Sequence, residues 1–453
     1  MVGGSTFTIF PGEAHSAGIS RGRISMRIKS RIIYTGLVLL LLGVAIPAWS
    51  DPVQVQFPCD IDNQPTGNFP GPEDIDWNGD SAMNMLLSDG TTTVACPVNY
   101  KYIRLGGTDG YSRMADGLDL YTFGFVDLAG IRENLVSAEI NHANFPAPTL
   151  VMNEGDHVYL NLSNLGMIKR PDLFDPHTVH FHGFPNAATV FDGEPMASFG
   201  VRMGATVTYY YEPVDPGTYM FHCHQEATEH MEMGMLGNLV VRPVQNGTPV
   251  SYNTRTYTQF AYNDGDGSTG YDVEAMIKIA DFDPIFHQRD EIFQPPRFAE
   301  YEARYFMLNG RGYPDTLDTG QITNLTNNYA SQKINSLVTV TRPGQRTLLL
   351  RIINLSIQNF TNIEILGLPV KVAGRCAKLL RGPNPTLGTG PGTGIDTSYY
   401  VSSMIVGPGE SVDLIIDTQG VDAGTYYLFS RNLEQLNNDL MDRGGAMTEI
   451  VIN

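Results

Sequence analysis

The chain has 453 residues, 42% of them hydrophobic, with 47 glycines and 28 prolines, a composition that suits turn-rich folded β domains and excludes a disordered polymer. Lysine and arginine number 29 against 48 acidic residues, a net charge of −19. That balance excludes nucleic acid and anionic membrane surfaces as natural partners and favours encounter with cations or basic proteins.

The first predicted element is an export signal. Met26-Arg27-Ile28-Lys29-Ser30-Arg31 is a basic leader, residues 32–48 are a nearly uncharged apolar run, and Ala48-Trp49-Ser50 offers a cleavage site before Asp51. The residues ahead of Met26 read as an over-long start. Residues 1–50 are therefore expected to be removed by a cut after Ser50, and the mature protein to be periplasmic or secreted. Residues 51–115 read as an acidic, Gly/Pro-rich, loop-rich extension. Cys59 and Cys96 flank much of it and are candidates for a disulfide in an oxidising compartment. The stretch DIDWNGD at 74–80 alternates oxygen ligands like the start of a calcium loop but lacks the closing glutamate, so a solvated acidic loop is the preferred reading. The same holds for NDGDGSTGYD at 263–272.

From residue 116 onward, short apolar or alternating runs are punctuated by Gly, Pro, Asn and Asp. LYTFGFVDL, HVYLNLSNL, TVTYYYEP, LLLRIINL and VDLIIDT read as strands, so β-sandwiches are the expected architecture. An internal repeat divides them. DPGTYMFHCH from Asp215 and DAGTYYLFSR from Asp422 match at Asp, Gly, Thr and Tyr, while HTVHFHG ending at Gly183 aligns with TNIEILG ending at Gly367. Two units of one fold follow, at 116–244 and 245–453, joined by the polar, turn-rich RPVQNGTPVSYNT. Cys376, in the apolar PVKVAGRCAKLL, is expected to be a buried small residue.

The first unit carries the chemistry. Residues two apart in a strand share a face, so His180 and His182 of HTVHFHG converge, while His177, an odd step away, points to the other side. In FHCH, His222 and His224 share a face and Cys223 takes the opposite one. His180, His182, His222 and His224 then form a four-imidazole cluster. His177 and Cys223, with His230 and Met235 from the following turn, make a set of two imidazoles, a thiolate and a thioether. That set belongs to a blue-copper electron-transfer centre, whereas zinc gains nothing from the methionine. The all-histidine group suits copper that meets dioxygen or another small oxidant. Because His222 and His224 flank Cys223, the backbone itself links the two groups.

H-x-x-H-x-H-G, then H-C-H, then His and Met five apart resembles the copper signature of the multicopper oxidase family. NFPAPTLVMNEGDHVYLNLSN, DGEPMAS, LNGRGYPDT and GPGESVDLIIDT are also similar to segments of such oxidases. The resemblance implies an all-β fold of two cupredoxin-like Greek-key β-sandwich domains behind a loop-rich N-terminal extension. It implies copper as the cofactor, with His177, Cys223, His230 and Met235 as type 1 ligands, His180 at type 2 copper, and His182, His222 and His224 at a type 3 pair. The implied activity is that of an oxidoreductase that takes single electrons at type 1 copper and passes them to a cluster reducing dioxygen. The donor would be a metal ion, a phenol or a redox protein.

The chain departs from the family pattern in two ways. Family members mostly place the second type 1 histidine five residues after the cysteine, where Thr228 stands here; His230 comes at seven, which reads as a two-residue insertion because the His-to-Met interval is kept. Met231 and Met233 remain alternatives for the thioether. The family's trinuclear cluster also draws eight histidines from two domains, and this domain offers four. The second repeat has Thr361, Glu364 and Leu366 opposite His177, His180 and His182, and Phe429, Ser430 and Arg431 opposite His222, Cys223 and His224. No copper ligands are expected there. A homotrimer or a partner chain would have to complete the cluster, with His287 as the second domain's histidine to give, while His142 and His157 read as ordinary surface or core residues. Two other readings stay open. One is a periplasmic type 1 copper electron-transfer or copper-binding protein without oxidase activity. The other is a nitrite reductase-like enzyme with one copper held by His182, His222 and a neighbour's His287, although such enzymes carry Asp where His180 stands and Ala where His224 stands.

Overall fold

The computed structural model describes residues 84–86, 93–95, 98–131, 133–382 and 394–453. The export signal, the Cys59–Cys96 pair and the 74–80 stretch lie outside the described residues. All five runs singled out above form strands, at Asp119–Asp127, His157–Gly166, Thr206–Tyr211, Thr347–Asn354 and Ser411–Asp417.

They belong to two β-sandwiches. In the first, one sheet runs in the order Asp119–Asp127, Tyr100–Arg113, His157–Gly166, Thr206–Tyr211, and the other Leu150–Asn153, Leu236–Arg242, Gly217–His222, His180–His182. In the second, the larger sheet starts Tyr305–Leu308, Val273–Phe282, Thr347–Asn354, Ser411–Asp417, Val370–Arg375, and the smaller runs Val338–Val340, Met447–Ile452, Gly424–Ser430, Thr361–Ile365, Ser403–Val406. Leu105, Phe125, Leu160 and Phe221 fill the first core, and Ile277, Leu350, Ile363 and Leu414 the second. Each such side chain, fully buried, contributes about 1.5–3 kcal/mol of transfer free energy.

Both sandwiches follow one plan. The long opening strand pairs in parallel with the third, 100–113 with 157–166 and 273–282 with 347–354. The closing strand pairs in parallel with a short one, 236–242 with 150–153 and 447–452 with 338–340. The shared D-x-G-T-Y has a structural reason, because Tyr219 and Tyr426 each donate their hydroxyl to the carbonyl four residues back, Asp215 O at 3.0 Å and Asp422 O at 2.9 Å. Asn164 and Asn354 likewise brace the same turn in each unit, donating to Val201 O at 2.9 Å and Val406 O at 2.8 Å.

Tyr100–Arg113 is a correction. This strand sits inside the first sheet, in the stretch expected to be a loop-rich extension, so an opening boundary at 116 is too late. Its three glycines broke the apolar alternation, yet they are what allow neighbours to close in. A Cβ on Gly110 would lie 2.9 Å from Ala143 N, and one on Gly106 2.9 Å from Leu165 Cδ1.

Gly217–His222 is buried along its whole length, because the second sandwich covers its outer face. Thr218 accepts from Arg351 at 2.8 Å and donates to Asp413, and Ser411 Oγ donates to Thr218 O at 2.7 Å. Among the described residues no helix is long and apolar enough to cross a membrane; the two α-helices are Ala227–Glu232 and Pro284–Glu291.

Candidate metal centre

His177, Cys223 and His230 are all buried, and one ligand atom of each lies within 4.8 Å of the others. His230 Nδ1 stands 3.2 Å from Cys223 Sγ, and the two imidazoles meet edge to face at 5.3 Å. His177 sits just before the strand His180–His182, Cys223 follows Gly217–His222, and His230 rides on the helix Ala227–Glu232, which Glu226 opens in a left-handed conformation (φ 46°). Met235 closes the group. Its backbone carbonyl accepts from Cys223 N at 3.0 Å, and its own N–H donates to His230 O at 2.8 Å. A Cβ on Gly107 would lie 2.7 Å from His177 Cδ2 and 3.3 Å from Met235 Cε, so Met235 and His177 share one wall of the pocket. Met231 packs into a different cluster, whereas Met233 is buried in the same cluster as Cys223 and Met235.

The electrostatics are those of a dry pocket. Burial holds His177 well below the ordinary histidine range, lowers His230 to about 4 and pushes the Cys223 thiol up to about 11. Both imidazoles are therefore neutral at ordinary pH and ready to act as ligands. His177 Nδ1 is buried with no hydrogen-bond partner among the described residues, and an orphaned nitrogen beside a thiol is costly unless something coordinates it. Thr178 N donates to Cys223 Sγ at 3.4 Å, the kind of contact that orients and stabilises a thiolate. Two imidazoles, a thiolate and a thioether fit copper by chemistry as well as by placement.

His180, His182 and His222 form a second group within 4.8 Å. His180 and His222 lie directly opposite on paired strands, and His224 reaches His180 with rings 4.9 Å apart. His180 Nδ1 faces Asp192 O at 2.7 Å and His222 Nδ1 faces Cys223 O at 2.8 Å. A carbonyl only accepts, so each Nδ1 carries the proton and each Nε2 keeps its lone pair. His182 Nδ1 lies 3.3 Å from His222 Nε2. Burial lowers His222 to about 3 and depresses His180 and His182 as well. His180, His182 and His224 are partly exposed.

His287 and Cys376 depart from expectation. His287 is fully buried, its Nδ1 donating to Tyr121 O at 2.5 Å and its Nε2 3.6 Å from Glu232. It is sealed inside its own chain and is not a surface histidine to lend a neighbour. Cys376 is exposed (φ 47°) in the tight turn between Val370–Arg375 and Lys378–Leu379; the apolar run misled because it spans a hairpin. In the 263–272 loop, Asp264 is saturated by Gly267 N, Thr269 N and Thr269 Oγ1. His142 stacks on Tyr329, and His157 bonds Tyr210 at 2.6 Å. Residues the motif did not flag include Gly107, Thr178 and Asp192. Asp175 and Glu226, whose carboxylates group with His230, carry no spacing signal because they come from separate loops.

The paired β-sandwiches have the cupredoxin fold, and the first of them carries both ligand groups. Residues 134–246, within the first sandwich, match the family model of the multicopper oxidases. The multicopper oxidase MCE of Talaromyces pinophilus is 33% identical over 107 residues, 23% of this chain and 16% of that protein. A copper-containing nitrite reductase of Neisseria meningitidis is 33% identical over 105 residues, 23% of this chain and 24% of that one. The chain thus spans a quarter or less of the length of these curated relatives. In fold, it resembles the blue copper oxidase of Nitrosomonas europaea with a TM-score of 0.55 and 20% identity, covering 78% of this chain and 86% of that one.

Proposed function

We propose that the protein is an exported copper-dependent oxidoreductase in which His177, Cys223, His230 and Met235 hold a type 1 copper. In this reading, His180, His182, His222 and His224 hold copper of the type 2 and type 3 kind. The observation that carries it is the position of Cys223, whose thiol lies in one buried ligand group while the histidines on either side of it lie in the other. Bound copper would supply one-electron exchange at the thiolate group and dioxygen reduction at the histidine group. The chain's own contribution is to keep water from the thiol, hold His177 and His230 neutral, and orient the cluster imidazoles through Asp192 O and Cys223 O. The His222 Nδ1–Cys223 O hydrogen bond, 2.8 Å long, gives electrons a short bonded path between the groups.

Four imidazoles are half of the family's full cluster, and the partly exposed His180, His182 and His224 leave room for ligands from a second copy or another chain. Asp175 and Glu226 beside His230 favour a cationic donor such as a reduced metal ion over an anionic one, with a phenol or a basic redox protein as the other donor classes. The nitrite reductase reading keeps support from the Neisseria relative but loses His287 as its third ligand. The test is copper counting with oxygen uptake on fully loaded protein, using phenolic, Cu(I), Fe(II) and Mn(II) donors. More than two coppers per chain with oxygen consumption is the expected result. One copper without uptake would leave an electron carrier, and two with nitrite turnover a nitrite reductase-like enzyme.

A further inference from the structure

A file of buried aromatic rings runs from Tyr111, whose hydroxyl meets the partly exposed Glu291, to His230. Tyr111 and Tyr121 lie directly opposite on the paired strands Tyr100–Arg113 and Asp119–Asp127, with ring centroids 5.6 Å apart. Tyr121 meets Phe123 edge to face at 5.6 Å, and Phe123 meets the His230 imidazole in the same way at 5.8 Å. Aromatic packing alone explains edge-to-face contacts in any core. The hydroxyls call for more explanation. Tyr121 OH donates to Asp109 Oδ2 at 3.0 Å, and Asp109 is a fully buried carboxylate that also accepts from Lys169 N at 2.8 Å, while its Oδ1 has no hydrogen-bond partner within the distance limits among the described residues. Tyr111 OH donates to Glu291 Oε1 at 2.7 Å. Glu291 in turn pairs with Lys169 at 3.4 Å at the partly exposed end of the file, next to the exposed Ile292 and Phe293. A carboxylate sunk in a core, as Asp109 is, costs free energy, and each of two successive tyrosines has a carboxylate placed to take its proton.

We propose that Tyr111 and Tyr121 are redox-active residues that feed electrons through Phe123 to His230, with Glu291 and Asp109 as their proton acceptors. The proposal rests on the type 1 reading of His230. Oxidation of Tyr121 would release one electron, which the Phe123 and His230 rings would carry to an oxidised, one-electron-accepting copper held by His230. The phenolic proton moves to Asp109 Oδ2, leaving a neutral tyrosyl radical and a carboxylic acid. Tyr111 then gives its electron to the Tyr121 radical, which recovers its proton from Asp109, while the Tyr111 proton moves to Glu291. An external one-electron donor reduces the Tyr111 radical, and Glu291 returns the proton. Burial keeps both phenols protonated at ordinary pH and raises Asp109 above the usual carboxylate range, so loss of an electron and transfer of a proton go together. Electron tunnelling weakens exponentially with distance, and short steps between neighbouring rings outpace one long jump.

Flash-quench oxidation tests this on copper-loaded, reduced protein, with photo-generated Ru(III) tris-bipyridine as oxidant and the blue absorption of Cu(II) followed in time. The expected course is a transient tyrosyl absorption that decays as the blue band rises. Tyr121→Phe, and separately Phe123→Leu, which keeps the Tyr121–Asp109 bond, should slow the rise about tenfold or more. Tyr400→Phe, an exposed tyrosine of the second sandwich, should leave it unchanged. Equal blue intensity in the fully oxidised variants shows that the ligand pocket is intact. An unchanged rise in both path variants overturns the electron path, whereas a parent protein that binds copper without any blue band overturns the type 1 reading beneath it.

Discussion

The two sandwiches make the same hydrogen bonds around positions that hold different residues. In the first, Cys223 N donates to Met235 O at 3.0 Å and Met235 N to His230 O at 2.8 Å; in the second, Ser430 N donates to Ala446 O at 3.0 Å and Ala446 N to Gln435 O at 2.9 Å. The backbone thus aligns Cys223 with Ser430, His230 with Gln435 and Met235 with Ala446. With the repeat's match of His177 to Thr361, every donor of the thiol pocket has a counterpart that cannot serve as a strong soft ligand. Register extends the comparison further. Gly107 lies opposite Asn164 as Ile279 lies opposite Asn354, so the space that Gly107 yields to His177 and Met235 is filled by a buried isoleucine. At the second group, His180 and His224 correspond to Glu364 and Arg431, which form an ion pair of 3.3 Å. One framework therefore carries either ligands or ordinary packing, and the framework does not depend on the ligands.

The largest test makes one sandwich resemble the other. Cys223→Ser, the residue its counterpart has, should abolish the intense blue colour of copper-loaded protein, because that colour comes from the thiolate–copper bond. A protein still blue after the change would refute the pocket's assignment.

The proton count gives the next effect. With the thiol pushed up to about 11 and His230 lowered to about 4 by burial, the metal-free pocket at neutral pH holds one displaceable proton, on sulfur. Copper binding releases it, so apparent affinity should rise about tenfold per pH unit between about pH 5 and pH 9 and flatten towards the thiol's own value. Competition with a chelator across that range measures the slope, and a flat profile would exclude Cys223 as a ligand.

A smaller effect is expected at Gly107→Ala. The added methyl meets the His177 ring at 2.7 Å, and overpacking of this kind costs about 1–3 kcal/mol, read by denaturant unfolding together with a shifted blue band. Ile279 shows that a side chain is tolerated where no ligand set needs the room. The smallest effect belongs to Arg431→Ala, whose ion pair with Glu364 is half exposed and should contribute at most about 1 kcal/mol. A larger loss would mean that this pair holds the second sandwich together in a way its counterpart histidines do not.

Much of the site was legible because its rules are local. The alternation of H-x-H and H-C-H along strands divides six donors between two faces, and period two survives any tertiary arrangement. The strands at 157–166 and 347–354 were equally plain, since long apolar runs leave little choice. Tyr100–Arg113 was not legible, because its glycines look like loop residues until the neighbours they admit, Ala143 and His177, are in place. His287 and Cys376 were misjudged for the same reason. One lies in a helix closed over by Tyr121 and Glu232, and the other at a turn whose apolar flanks belong to two separate strands.

Residue type and strand periodicity are enough to single out the candidate donors, divide them between two groups and mark their absence from the second repeat, because neither needs knowledge of the fold. Folding is needed to bring Met235 Cε and the His177 ring together against Gly107, and to file Tyr111 and Tyr121 towards His230. Both depend on sheet register, which brings together residues far apart in the chain through contacts that no spacing along the sequence records.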